Sequence, residues 1–321
     1  MRIFIIDMFG CRYPDLGHQI KAACEQLGHE VRCFDYRKWK LQHFSFTNKI
    51  LNRMMVSQAT SWPADLVLVN KGETILPGTI AAISKAGIKT ANWEPDEPFG
   101  DLQAFNALKN IPEYDAFFIY DQQFLPRLKE LNPHSYYLPP GADPFGVHQE
   151  QIPLEKREFP ADLCMVGSAY ENRIKLLTPY VGRSMRLAGP SWERAPAELA
   201  KMALPPVKIT EMVRLFNESK IVLNPYGAAK SFIVPNPRTF EIPASRSFEL
   251  TDARRDVDKF LAPGKEIVIY KDENEFKELV DYYLENNEER NRIAQAGYDR
   301  VVKEHTMKHR VQKILTTMSL G

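Results

Sequence analysis

The sequence is poor in cysteine: Cys11, Cys24, Cys33 and Cys164 are the four among 321 residues. No two of them form a C-x-x-C unit or a zinc spacing, so free thiols of a reducing compartment are the expectation. Long apolar runs are missing, which excludes a membrane-spanning helix, and the opening MRIFIID reads as a strand and not as a leader. The expected location is therefore cytoplasmic, with peripheral membrane contact left open. Neither charge sign is in excess, with 42 Lys and Arg against 41 Asp and Glu. That balance argues against a dedicated nucleic-acid binder. The loop after the first strand, Met8–Gly17, lacks the dense glycine fingerprint of a dinucleotide site. A P-loop, a G-x-S-x-G elbow and an H-E-x-x-H pair are all missing. The seven histidines are scattered, so no metal cluster is expected.

What is present is the make-up of a folded protein: 44% hydrophobic and 26% charged residues, and a length that accommodates two domains of roughly 150 residues each. Short Ile-, Val- and Phe-rich runs alternate with helical periodicity. Strands are predicted at Arg2–Met8, Glu30–Asp35, Asp65–Asn70, Ile88–Trp93, Ala116–Tyr120 and Tyr136–Leu138. Helices fall between them at His18–Leu27, Leu76–Ala86 and Gln123–Leu131. Trp39–Ser61 is basic and amphipathic; it reads either as a helix lining an acceptor cleft or as one packing its apolar side on the sheet. Pro139–Lys156 reads as a hinge. The pattern then restarts with strands at Leu163–Val166, Ser184–Ala188, Ile221–Leu223, Phe248–Thr251 and Glu266–Tyr270. Helices are predicted at Glu171–Leu177 and Thr210–Lys220, with three more from Glu273 to Met318. The expectation is two Rossmann-like α/β domains, 1–146 on the acceptor side and 147–321 on the nucleotide side.

In such sheets ligands bind beyond the carboxyl ends of the strands. The loop Gly167–Arg173 follows a strand and opens a helix, where backbone amides and Arg173 suit a phosphate; an ordinary turn with an exposed arginine is the plain alternative. The segment Asn224–Glu241 carries Lys230 and Arg238, cations suited to a diphosphate. Glu241 there is a carboxylate able to accept from two ribose hydroxyls. Solvated loop charges are the alternative. Trp93–Gly100 is a stiff acidic loop whose Asp96 is a candidate base, against a solvated turn. Asp143, in a tight turn, is a further cleft candidate, and His18 is a candidate on the acceptor side. Glu241 and Glu249 stand eight apart, but Glu249 lies within a predicted strand and reads as structural.

The segments PNPRTFEIPASRSFELTD and FLAPGKEIVIY resemble the carboxyl-terminal half of CgeB-like glycosyltransferases, as does a final H-T-x-x-x-R helix at His305, Thr306 and Arg310. That group is similar to glycosyltransferase family 4. NWEPDEPFG, YLPPGADPF and DLCMVGSAYENR fit in the same order, so the resemblance covers residues 65 to 315. It implies a GT-B fold, two Rossmann-like domains facing an interdomain cleft. It implies a glycosyltransferase moving a sugar from a nucleotide-sugar to an unidentified acceptor, without cofactor or metal and with retention. Arg173 and Arg238 are the implied catalytic cations, with Asp96 as base should the outcome be inversion. Donor contacts are expected from Gly10, Gly167, Ser168, Tyr226, Lys230, Asn236, Thr239, Phe240 and Glu241, the last on the ribose. The chain departs from the family at Ser168, where many relatives carry arginine, at Ile233, where the first family-4 glutamate would fall, and at Ser245–Arg246. These departures keep two alternatives in view: a nucleotide-sugar-binding protein without catalysis, and a GT-B epimerase.

Overall fold

The computed structural model describes residues 1–9, 16–38, 45–99, 108–227 and 234–320. Contacts divide the chain into two compact units, Met1–Pro140 with Met307–Gly321, and Gly141–Thr306. This division starts the second unit slightly ahead of the expected boundary after residue 146. It also places the closing helix with the first unit.

In the first unit the apolar runs form β1 (Arg2–Asp7), β2 (Glu30–Asp35), β3 (Leu66–Asn70), β4 (Lys89–Glu94), β5 (Ala116–Ile119) and β6 (Ser135–Tyr137). They pair in parallel in the order β2-β1-β3-β4-β5-β6. β3 is buried at every position, as expected where helices cover both faces of a parallel sheet. The covering helices include α1 (Leu16–Gln26), α2 (Ser45–Ser61), α3 (Thr79–Lys85) and α4 (Leu125–Leu131). α2 sends Leu51, Met55 and Ala59 into a core shared with Phe4, Val67 and Val69, so its apolar side packs on the sheet. α1 ends before Gly28, whose φ of 81° supplies the left-handed residue that stops a helix.

The second unit contains β7 (Ala161–Val166), β8 (Met185–Ala188), β9 (Ala203–Leu204), β10 (Ser219–Asn224), β11 (Glu249–Asp252) and β12 (Val268–Tyr270). The order β12-β11-β10-β7-β8-β9 is again wholly parallel. Helices α5 (Glu171–Leu177), α6 (Ala197–Met202), α7 (Ile209–Asn217), α8 (Arg238–Ala244), α9 (Val257–Phe260), α10 (Glu273–Glu285) and α11 (Asn287–Glu304) cover it. The helix predicted to reach Lys220 stops at Asn217. Ser219 turns its hydroxyl back to the Leu215 carbonyl and pairs with Ala161, so it already belongs to β10. α6, β9 and α9 were not predicted, being too short to establish a period. After α11 the chain returns to the first unit as α12 (Met307–Thr317), which packs on α1. Arg310 Nε donates there to the Pro140 carbonyl at 2.9 Å. Among the described residues no helix is long and apolar enough to cross a membrane.

Each sheet has one point where successive connections leave in opposite directions. From β1 the chain runs to β2 on one side and β3 lies on the other; from β7 it runs to β8, and β10 lies on the other. The crevice beyond such a pair of strands is where an open α/β sheet binds its ligand.

Candidate functional site

The crevice beyond β7 and β10 is spanned by Arg173. Its Nη1 donates to the Ser168 carbonyl after β7 at 3.0 Å. Its Nε and Nη2 donate to the Pro225 carbonyl after β10 at 2.9 and 2.7 Å. A guanidinium has five N–H donors, so two remain once these three bonds are made. Burial pushes Arg173 down to about 10, and the nearby cations of Arg254 and Arg238 push the same way. A guanidinium depressed by burial and like charges still keeps its charge at neutral pH and gains most from an anion. A Cβ on Gly167 would stand 2.8 Å from Arg173 Nη1, so a side chain there would displace the guanidinium from this position. Gly189, with φ 141°, lets the loop after β8 close on the Gly167 carbonyl, which a Cβ would meet at 2.2 Å.

Arg238, the first residue of α8, reaches back to the Val166 carbonyl at 3.3 Å and pairs through Nη1 with Glu241 Oε2. Glu241 is buried, and its Oε1 lies 3.5 Å from His148 Nε2. His148 Nδ1 accepts from the Asp143 amide at 3.0 Å, which leaves the ring proton on Nε2, facing the carboxylate. Burial works to raise Glu241, but Arg238 and His148 overcome it and hold the carboxyl at about 2. Asp143 itself organises the turn 143–148 through its carbonyl and Oδ2.

A polar chain fixes the start of α8. Asn224, the last residue of β10, exchanges two 3.1 Å bonds with Asn236 and donates to Glu249 Oε1 at 2.7 Å. Asn236 Oδ1 also accepts from the Thr239 amide at 3.2 Å. Tyr226 donates its amide to Asp252 Oδ2 at 3.0 Å, and its ring lies 5.1 Å from the Arg254 guanidinium. Arg254 Nε donates to Asp252 at 2.9 Å, and its Nη1 is buried without a partner.

The structure thus gathers Gly167, Ser168, Arg173, Tyr226, Asn236, Arg238, Thr239 and Glu241 at one end of the second sheet. It corrects three expectations. Phe240 is a core residue packed on Phe260, His305, Ala142 and Val301, with no surface left for a ligand. The amides expected to meet a phosphate are largely engaged: Ala169 bonds Pro190, Tyr170 bonds Ser168, and Phe240 and Glu241 bond Pro237. Among the described residues, positive charge at this site therefore comes from guanidinium groups. Thr239 is buried and acts on the loop through Asn236. Gly10, Lys230 and Ile233 lie outside the described residues.

Asp96 belongs to the first unit. It is partly exposed and sits 2.9 Å from Lys71 Nζ, which also lies 3.3 Å from Glu73. Burial opposes the Lys71 charge, yet Asp96 and Glu73 raise it. Glu94, the last residue of β4, is buried, and burial together with the Asp96 charge drives its carboxyl well above the usual range. The acidic loop is therefore split between a buried carboxyl whose charged form burial disfavours and an ion-paired one at Asp96, unlike the solvated turn weighed as its alternative. Beyond β1 and β3, Asn70 donates to Asp7 Oδ2 at 2.9 Å. His18 and Lys21 line a cavity of about 700 Å³ with Phe34 and Asp35. No group of three metal-binding side chains occurs among the described residues.

Sequence reasoning missed His148, Asn224 and Arg254. Arg254 follows the carboxyl end of β11, so the strand-end rule points to it. His148 carries no local signal, since its partner lies 93 positions along the chain at Glu241.

Residues 172–316 match the glycosyl transferase-like family. The chain is 26% identical over 273 residues to the spore protein CgeB of Bacillus subtilis, covering 75% of this chain and 79% of that protein. Its fold matches Anabaena Alr3699/HepE in complex with UDP and glucose, with TM-score 0.66 and 12% identity over 99% of both chains. It also matches the sucrose-phosphate synthase tll1590 of Thermosynechococcus elongatus, with TM-score 0.65 and 10% identity over 98% of both. The trehalose-6-phosphate protein of E. coli bound with UDP-2-fluoro glucose follows at 0.64 and 10% over 99% of both. The resemblance to CgeB-like glycosyltransferases and the GT-B fold are borne out, and the glycosyltransferase assignment stands on the matched domain.

Proposed function

We propose that the second unit binds the nucleoside diphosphate of a nucleotide-sugar beyond β7 and β10, and that the chain moves the sugar to an acceptor without a metal and with retention. The observation that carries this reading is Arg173, whose guanidinium spans both loops of the crevice with two N–H donors to spare, near Arg238 and Arg254. When the anomeric carbon–oxygen bond breaks, its electron pair leaves with the diphosphate. Fixed cations in a partly dry site stabilise that charge without reorganising. The acceptor oxygen bonds the same carbon, and its proton passes to the diphosphate, so retention requires no strong side-chain base. Asp96 is the candidate base for an inverting outcome only. Glu241 stays ionised at neutral pH, held by Arg238 and His148, and is the candidate carboxylate for the ribose hydroxyls. The UDP held by Anabaena HepE supports a uridine donor as the first to try.

Thermal unfolding with UDP, GDP, TDP, ADP and CMP tests binding, since a ligand at about 100 times its dissociation constant stabilises by about 2.7 kcal/mol. Arg238→Ala is expected to weaken a nucleoside diphosphate at least tenfold more than the nucleoside. Equal loss for both removes the phosphate role. Ser168 standing where many relatives carry a cation favours the second reading, binding without turnover. Release of free sugar from the donor, even slowly, decides for catalysis, and an acceptor-independent change in the donor sugar decides for an epimerase.

A further inference from the structure

We infer that the outward face of α2 in the first unit docks on an anionic lipid surface. The helix buries Leu51, Met55 and Ala59 at a spacing of four. The opposite side presents Phe46, Lys49, Ile50 and Arg53, all exposed and three or four residues apart. Phe46 is 72% and Ile50 38% exposed, one turn from each other and flanked by the two cations. An ordinary solvated face mixes both charge signs. Here residues 36–64 contain no Asp or Glu and carry Arg37, Lys38, Lys40, Lys49 and Arg53, in a chain whose net charge is only +1; Arg37 pairs with Glu73, so the cations that frame the apolar pair are Lys49 and Arg53. An apolar pair framed by cations, on a helix that carries no carboxylate of its own, matches the headgroup boundary of a bilayer. The Phe46 and Ile50 side chains enter the acyl edge while Lys49 and Arg53 stay at the lipid phosphates. A nucleic acid would use the cations but gains nothing from the aliphatic Ile50. The contact lies in the plane of the surface, because the buried half of α2 is committed to the sheet.

The test is co-sedimentation of the full chain with vesicles of phosphatidylcholine alone and of phosphatidylcholine with about one-third phosphatidylglycerol, at low and high salt. Binding is expected on the anionic vesicles only, and weaker at high salt. A cation near a charged leaflet contributes about a factor of five, so Lys49→Glu with Arg53→Glu is expected to lower partitioning by more than tenfold. Phe46→Ser with Ile50→Ser is expected to lower it by roughly tenfold at unchanged charge. All four positions are exposed, and unchanged thermal unfolding of each double variant verifies the fold. Failure to sediment with anionic vesicles overturns the inference. So does binding that survives Phe46→Ser with Ile50→Ser, which reduces the contact to unspecific charge attraction, or retention on single-stranded RNA but not on vesicles.

Discussion

Replacing Glu249 with glutamine removes one titrating group from the interior of the second unit while keeping its shape. Glu249 is buried at the start of β11; Oε1 accepts from Asn224, and Oε2 has no partner. Burial raises its carboxyl from 4.5 to about 8, against the opposing pull of the Asn224 bond. An acid raised in this way binds its proton more tightly in the folded chain than in the unfolded one. Its stabilising contribution is full below pH 4.5 and is lost as pH rises through about 8. The gap corresponds to roughly 5 kcal/mol, of which relaxation and water entry in a real interior leave about 2–4 kcal/mol. Glutamine keeps the carbonyl that Asn224 needs, and its amide meets the same unpartnered corner as the neutral acid. The two proteins should therefore be nearly equally stable in acid. Urea unfolding followed by tryptophan fluorescence, from about pH 5 to about pH 9, should show the wild-type stability falling toward high pH while Glu249→Gln falls less by that amount. Parallel curves would refute the reasoning, because Glu249 would then titrate as an ordinary exposed acid.

Two further outcomes follow from the site. Gly189→Ala, at φ 141° with a Cβ 2.2 Å from the Gly167 carbonyl oxygen, should cost about 3 kcal/mol of stability by urea unfolding, and a loss under about 0.5 kcal/mol would mean the two loops are not closed as described. Glu241→Gln breaks the buried pair with Arg238 and should cost about 3 kcal/mol at neutral pH. Glu241 is lowered from 4.5 to about 2, so its contribution is present above pH 4.5 and fades as pH falls through about 2. The wild-type advantage over Glu241→Gln should shrink in acid, and an advantage that grows there would contradict the pairing.

The local pattern of residues determined most of the architecture. β2 is found at the predicted bounds and α10 at its predicted start, because a strand run after the helix-stopping Gly28, or an amphipathic stretch capped by Asp272, states its own conformation. The strand-end rule then led to the segments Gly167–Arg173 and Asn224–Glu241, whose Arg173 and Arg238 lie at the site. Phe240 had to be reassigned because whether an aromatic in a motif meets ligand or core depends on what packs over it, here Phe260 and His305.

What only tertiary structure decided rests on partners distant along the chain. Arg310 bonds the carbonyl of Pro140, 170 positions away, and α12 with it returns to the first unit. His148 takes its tautomer from Asp143 and faces Glu241, and Arg173 finds its carbonyl at Pro225, 52 positions on. Periodicity reports which face of an element is apolar. It carries no record of which distant carbonyl or carboxylate will stand against a given side chain once two elements pack, and those encounters set the charge and proton positions of this site.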